Sequence, residues 1–224
     1  MFSKLHPNSD ISKAAAANTL SLAIKIFVIL IQVPMFLAFW GAELYGEWLM
    51  IFTIPSFFAL ATNSLNDVVG NEMSMHRDKQ HYISQLFNFG IVVANSMILI
   101  FLFIFFVLYG VFLSKTNLFT YLDELSLPLI GISLISGVIF RIYSSFQIQA
   151  FRPIGKYHIS IVFLSIFSFF ELIGNFIMLA LFVKPEFIAI NFLIISIAQA
   201  IAAFIYLKIM APWIKFQPSI AFQY

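Results

Sequence analysis

Long apolar stretches separated by short polar ones run along this chain. There are six such stretches, and each meets or nearly meets the roughly 20 residues that an α-helix needs to cross about 30 Å of hydrocarbon. They cover residues 16–40, 47–65, 86–113, 128–151, 157–183 and 187–210, and a short tail covers 211–224. The pattern predicts an all-α integral membrane protein in which residues 1–224 form a single six-helix transmembrane bundle.

The basic residues divide unevenly between the two sides of the predicted bundle. One side holds only Lys115 and Lys184. The other side holds eight basic residues: Lys4, Lys13, Arg77, Lys79, Arg152, Lys156, Lys208 and Lys215. Because loops rich in Lys and Arg stay on the cytoplasmic side, this asymmetry predicts a multi-pass protein with both termini in the cytoplasm.

The composition excludes a water-soluble domain. Hydrophobic residues make up 62% of the chain and charged residues 10%, whereas about 25% of a typical globular protein is charged. There are no cysteines, which excludes disulfides and thiolate metal sites. The net charge of +2 is small and the basic residues are dispersed, so nucleic acid is not expected as a partner.

Two local patterns predict departures from straight, separate helices. Pro34 and Pro55 lie inside the first two apolar stretches, where the missing amide hydrogen and the ring predict a kink. Residues 66–85 are mixed in charge and carry spaced apolar residues such as Val68 and Met73. That spacing is typical of a short helix lying at the inner surface of the membrane.

Three ionisable residues lie inside the predicted helices: Lys25 in the first, Arg141 in the fourth and Glu171 in the fifth. Each would cost roughly 2.5–3.5 kcal/mol if it faced lipid at the middle of the bilayer. We therefore expect these side chains to face the interior of the bundle or a water-filled cavity.

Polar residues accompany the three ionisable residues at helical spacing. Repeats of three, four and seven residues place such side chains on one face of a helix. The polar residues are Asn18 and Gln32 with Lys25, Ser145 and Gln149 with Arg141, Asn175 with Glu171, and Asn95 on the third helix. Polar faces opposite faces rich in Phe, Ile and Leu are the layout of a transport cavity, and these nine residues are its candidate substrate-binding residues.

Simpler roles remain open for the same residues. Ser, Asn and Gln in membrane helices often serve only to hydrogen-bond one helix to another. Lys25 lies near enough to the cytoplasmic side for its amine to reach the membrane interface. Arg141 and Glu171 differ in depth by about four residues, roughly 6 Å, which is close enough for the two charges to neutralise each other.

No pattern of an enzyme is found in the sequence. The histidines, His6, His76, His81 and His158, are scattered through loops and helix ends without the spacing of metal ligands. A Gly-x-Ser-x-Gly elbow and a phosphate-binding glycine loop are both missing. We therefore expect no catalytic residue, no metal and no cofactor.

Several segments resemble those of a known transporter family. They are GAELYGEWL at 41–49, GNEMSM at 70–75 and FRPIGKY at 151–157, with Phe170-Glu171-Leu172 in the next helix. In register with the predicted helices, they resemble bacterial oligosaccharide flippases, the polysaccharide-biosynthesis branch of the multidrug/oligosaccharidyl-lipid/polysaccharide exporter superfamily. The family usually has Asp-Leu-Gly-Leu after its second helix, where this chain has Thr62-Asn-Ser-Leu-Asn66.

The resemblance implies a substrate and a membrane. Family members move oligosaccharides linked to undecaprenyl pyrophosphate across the bacterial inner membrane for the synthesis of lipopolysaccharide O-antigen and capsule. By this resemblance Lys25 and Arg141 would attract the pyrophosphate. Glu171 would orient Arg141, and the Asn, Ser and Gln side chains would hydrogen-bond sugar hydroxyls.

The resemblance also implies a partner. Family members have two six-helix lobes around a central cavity, so the chain resembles the N-terminal lobe and would need a second six-helix lobe or a second copy of itself. Two alternatives stay open: half of a multidrug or cation antiporter of the same fold, and a truncated membrane protein that does not transport. The first four predicted helices carry no carboxylate in their interiors, which favours an anionic substrate.

Overall fold

The computed structural model describes residues 7–113, 119–122 and 125–214, with the side chains of 12–107 in the first of these segments. Its helices are α1 (Pro7–Met75), α2 (Gln80–Leu113), α3 (Leu127–Gln149), α4 (Tyr157–Phe182) and α5 (Pro185–Met210). Within this part of the chain there is no strand, and all five helices are long and apolar enough to cross a membrane. The structure therefore agrees with the all-α, multi-pass protein expected from the sequence.

The structure has five helices where six are expected, because the first two predicted helices run together in α1 with only the non-helical residue Gly41 between them. The loop expected at residues 41–46 shrinks to one residue, Gly41, whose φ of 74° and ψ of 179° interrupt otherwise helical backbone. Glycine adopts these angles readily because it has no Cβ to clash with the neighbouring backbone. The bounds of α3, α4 and α5 lie within two residues of the predicted ones, and α2 begins six residues early, at Gln80.

Gly41 reverses the direction of α1. The ring of Phe36 stacks on that of Tyr45, with the two centroids 5.4 Å apart. On a straight helix, residues nine apart would be separated by about 13.5 Å along the axis. Residues 7–40, the first arm, and residues 42–75, the second arm, therefore lie side by side and antiparallel.

The helices run between two ends of the bundle. The Gly41 end holds Gly41 and residues 119–122, between α2 and α3. The Arg152 end holds the turns at 76–79 and 150–156, which follow the second arm of α1 and α3. In the sequence-derived topology, the Arg152 end is the one that carries the basic loops.

A buried carboxylate connects the second arm of α1 to residues 120–122 at the Gly41 end. Glu47, in the first turns of the second arm, is 5% exposed. Its oxygens accept hydrogen bonds from the backbone N–H groups of Thr120 at 2.7 Å, Tyr121 at 3.1 Å and Leu122 at 2.8 Å. Hydrogen bonds to an ionised acceptor are roughly twice as strong as neutral ones, so Glu47 fixes the connection between α2 and α3 onto α1.

α3 is the most enclosed helix, and it packs chiefly against α5. Gly137 of α3 allows this close approach, since a Cβ there would lie 2.5 Å from the ring of Phe192. On the outside of the bundle the large side chains are apolar, as with Phe103 and Phe106 of α2, which are 71% and 68% exposed. An apolar exterior around helices with satisfied backbone suits a hydrocarbon solvent.

Pro34 and Pro55, where kinks are expected, both lie inside α1. Gly41 is the residue of α1 whose backbone angles are not helical. Proline removes one backbone donor, and neighbouring groups in a membrane bundle re-satisfy the freed carbonyl.

The short surface helix expected at residues 66–85 is not present. This segment instead extends α1 to Met75 and begins α2 at Gln80. Part of the apolar spacing that predicted a membrane-surface helix serves internal packing, since Val69 and Met73 are buried in the core at the Arg152 end, whereas Val68 is exposed.

The reversal at Gly41 gives a direct test of the fold. Gly41→Ala should lower the stability of the protein by about 1–3 kcal/mol, because alanine must adopt strained backbone angles there. Gly46→Ala is the matched control: Gly46 is helical, and nothing lies within 4 Å of a Cβ at its position. The measurement is the midpoint of thermal unfolding in a mild detergent. Equal midpoints for the two variants would contradict the reversal.

Candidate binding cavities

An ion pair joins α3 and α4 inside the bundle. A terminal N–H group of Arg141 donates to the Glu171 carboxylate, and the Arg141 Nε–H donates to the Ser196 hydroxyl on α5 at 3.1 Å. The guanidinium carbon also lies 4.2 Å from the centre of the Phe192 ring. The two charged side chains are only 28% and 17% exposed. The mutual neutralisation left open by the sequence is therefore present, and it links three helices.

Further polar contacts continue from this pair between the same three helices. Asn191 of α5 donates to the Asn175 side-chain oxygen of α4 at 2.8 Å. Gln199 of α5 donates to the Ser144 hydroxyl of α3 at 2.7 Å. We name these residues the polar seam: Arg141, Ser144, Glu171, Asn175, Asn191, Ser196 and Gln199. The seam is interhelical hydrogen bonding of the kind that holds membrane helices together.

A cavity of about 280 Å³ lies between both arms of α1, α3 and α4, toward the Arg152 end. Four of the candidate residues line it: Asn18, Lys25, Ser145 and Gln149. We name it the Lys25 cavity. Lys25 is exposed and forms no ion pair with any other residue that the structure describes.

Arg152 is a second cation on the Lys25 cavity, and its side chain is only 13% exposed. Its terminal N–H groups donate to Asn71 and to Asp67, each at 2.5 Å. The guanidinium carbon lies 4.5 Å from the centre of the Tyr157 ring. The sequence pattern places Arg152 only among the basic loop residues. Its spacing of three from Gln149, a helical repeat, is the signal that could have placed it on the same face.

Gly70 brings the second arm of α1 against Arg152. A Cβ on Gly70 would lie 2.6 Å from the Gln149 side-chain oxygen and 3.2 Å from the Arg152 Nε. That oxygen and Nε are both buried without a hydrogen-bond partner among the described residues. Such buried unpaired groups are uncommon in native proteins, and here they sit at the wall of a polar cavity.

Asp67 changes the charge of the Lys25 cavity. It was expected in a loop, but it lies on α1 and lines the cavity. Asp67 lies two residues beyond the second predicted helix, 47–65, so it does not bear on the expectation that the interiors of the first four predicted helices hold no carboxylate. With Lys25 and Arg152 against Asp67, the charged groups on the cavity wall still sum to one positive charge.

A second cavity, of about 220 Å³, lies between α1, α4 and α5, closer to the Gly41 end. We name it the Trp48 cavity. Its aromatic walls are Phe36, Tyr45, Trp48, Phe52 and Phe192. Three candidate residues, Gln32, Glu171 and Asn175, are its polar groups. Lys25 and Gln32 are seven residues apart on α1, so the two cavities are offset by about 10 Å along the bundle.

The nine candidate residues thus form two groups and two exceptions. Arg141 lies outside both cavities, with its donors directed to the polar seam. Asn95 also lies outside them, and its side-chain oxygen accepts a hydrogen bond from the Tyr143 hydroxyl. The described residues contain no group of three or more His, Asp or Glu that could hold a metal ion.

Comparisons with known proteins add no relative. No family model, no curated protein and no solved structure matches the chain. The chemistry of the two cavities is therefore the basis for assigning a function.

The ion pair between α3 and α4 yields a test by double-mutant cycle. Glu171→Leu or Arg141→Leu alone should destabilise the protein by more than about 1 kcal/mol, because each leaves an uncompensated charge inside the bundle. The double variant should be more stable than either single one. Unfolding midpoints in detergent measure the cycle.

The control for this cycle is a more distant pair with one exposed partner. Lys184 and Glu186 lie 3.9 Å apart, and their side chains are 64% and 19% exposed. The same leucine substitutions there should be nearly additive, because an ion pair with a solvent-exposed partner contributes little. Additive effects at Arg141 and Glu171 as well would mean that their pairing is energetically unimportant.

Proposed function

We propose that this chain is one lobe of a membrane transporter that flips undecaprenyl-pyrophosphate-linked oligosaccharide across the bacterial inner membrane, for surface polysaccharide synthesis. The observation that carries the proposal is the positive Lys25 cavity, lined by helices that are long and apolar enough to cross a membrane. An ionisable side chain inside a membrane bundle is costly and usually marks a substrate or ion pathway. The resemblance of segments 41–49, 70–75 and 151–157 to oligosaccharide flippases supplies the substrate class.

The Lys25 cavity suits the pyrophosphate part of such a substrate. Lys25 provides an ammonium group that has no ion-pair partner in the described ranges, and Arg152 provides a planar guanidinium of the kind that binds phosphate with two parallel hydrogen bonds. Ser145 and Gln149 add hydroxyl and amide groups on the same wall. The apolar exterior of the bundle leaves the polyprenyl chain in lipid while the headgroup enters.

The Trp48 cavity suits a sugar next to the pyrophosphate. Tyr45 and Trp48 offer flat apolar surfaces, and Gln32 and Asn175 offer amide groups for sugar hydroxyls. The offset of about 10 Å between the cavities places this site farther from the Arg152 end. In the proposed orientation, with the Arg152 end in the cytoplasm, the sugar lies deeper in the membrane than the pyrophosphate.

A second lobe completes the transporter in this proposal. Asn18, Lys25 and Asn63 are exposed on the wall of the Lys25 cavity. A matching six-helix lobe, or a second copy of this chain, would cover these polar groups and supply the opposite wall. Rocking of the two halves around the cavity would then expose it to each side in turn.

The cation-antiporter alternative is weaker on the same observations. An antiporter for organic cations needs unpaired carboxylates in its cavities. The carboxylates on these two cavities are Asp67 and Glu171, and each is paired with an arginine, Arg152 and Arg141 respectively. Lys25 is the charged residue on these cavities without an ion-pair partner among the described residues, and its positive charge favours an anionic substrate.

Export of surface polysaccharide tests the proposal. Lys25→Ala should reduce export at least about tenfold, the loss of one cation–phosphate interaction of about 1.4 kcal/mol, in cells that express the chain and its second lobe. Lys25→Arg should retain much of the activity. The control, Lys79→Ala, removes the same charge from an exposed turn residue and should export normally. Immunoblots of membranes check protein levels. Normal export by Lys25→Ala at normal protein levels would contradict the cationic-cavity mechanism.

A further inference from the structure

We propose that Asp67 acts as a built-in competitor of the anionic substrate: its carboxylate holds the Arg152 guanidinium in the empty cavity, and a substrate phosphate takes its place. This inference rests on the proposed function, because it concerns the same cavity. It assigns a role to Asp67, and it makes Arg152 the residue at which substrate and protein compete.

The two partners of this ion pair differ in how firmly they are held. The Arg152 side chain is 13% exposed, lies over the Tyr157 ring at 4.5 Å and donates from Nη2 to the Tyr157 hydroxyl at 3.4 Å, contacts that do not involve the second arm. The Asp67 side chain is 58% exposed. Arg152 therefore stays in place when Asp67 leaves, and the released carboxylate can be solvated at modest cost because it is already largely exposed.

Asp67 does not use every hydrogen-bond donor of Arg152, so an anion with more acceptors can make more hydrogen bonds to the guanidinium. Asp67 accepts one hydrogen bond, from Nη2, through a single oxygen. The adjacent Nε–H is buried and has no partner among the described residues. Nε and Nη2 form one edge of the guanidinium, which a phosphate can bind with two parallel hydrogen bonds. A phosphate therefore gains a contact that Asp67 does not make.

The exchange requires the second arm of α1 to move. Gly70, three residues after Asp67, covers the guanidinium so closely that a Cβ would lie 3.2 Å from Nε. A phosphate bound across Nε and Nη2 occupies space next to this backbone. Substrate binding therefore breaks the contact between the second arm and Arg152, and it separates α1 from the turn between α3 and α4. The competition thus couples substrate binding to a movement of the lobe.

The test compares anion binding by charge-matched variants of the full chain in detergent. Isothermal titration calorimetry with farnesyl pyrophosphate measures affinity, and inorganic pyrophosphate separates the contribution of the anion from that of the lipid tail. Asp67→Asn should bind either ligand about tenfold more tightly than the unaltered chain, because the competitor is removed. Asp78→Asn removes the same charge from an exposed residue at the same end, and it should change affinity less than about twofold, as screened charges do.

The outcomes separate the inference from the proposed function. The competition would be overturned, and the proposed function would stand, if Lys25→Ala weakened binding while Asp67→Asn left it unchanged or weakened it. No binding of pyrophosphate to the unaltered chain or to Asp67→Asn would overturn both.

A second measurement on the unaltered chain guards against a folding defect in Asp67→Asn. Saturating farnesyl pyrophosphate should speed amide hydrogen exchange in residues 66–75, the part of the second arm that contacts Arg152. Exchange in the Gly41-end half of the same arm, residues 42–52, should stay constant. Unchanged or slower exchange in 66–75 at saturation would contradict the release of the arm.

Discussion

Both cavities depend on the reversal of α1 at Gly41, because each is lined by residues from both arms of that helix. Asn18 and Asp67 meet at the Lys25 cavity, and Gln32 and Trp48 meet at the Trp48 cavity. One residue with backbone angles open to glycine replaces the loop that would normally join two membrane helices. The contact of the arms therefore begins immediately at the reversal and continues along the bundle.

The charged groups inside the bundle serve two different purposes. Arg141 and Glu171 satisfy each other and join the polar seam, so they hold α3, α4 and α5 together in a medium that offers no water. Lys25 has no such partner among the residues that the structure describes, and it faces a cavity. Arg152 lies between these cases, because its carboxylate partner is largely exposed and its Nε–H has no partner within the described part of the chain. In the proposed mechanism the polar seam keeps α3, α4 and α5 in place, while the second arm of α1, on the wall of the Lys25 cavity, moves.

The features that the sequence predicts depend on local patterns of residues. The features that it does not predict depend on contacts between residues far apart in the chain. Apolar length predicts helices that the structure shows to be long and apolar enough to cross a membrane, and seven of the nine residues selected by helical spacing line one of the two cavities. The sequence predicts a loop at residues 41–46, whereas the structure has a single non-helical residue, Gly41, because hydropathy carries no information about backbone angles. Glu47 and Asp67 were missed because their partners lie 73 and 85 residues away.

Cross-linking between the two arms of α1 tests this account most directly. The chain has no cysteine, so Asn18→Cys and Asn63→Cys can be introduced together without background. Both positions line the Lys25 cavity, so a bis-maleimide with a span of about 10 Å should link them in membranes. The control pair combines Asn18→Cys with Thr53→Cys, because residue 53 lies a few turns of helix from residue 63 along the second arm. Efficient linking of 18 to 63, but not of 18 to 53, is predicted. Without the reversal the two positions would be about 68 Å apart along a helix, so failure to link 18 to 63 would contradict the fold and both cavities.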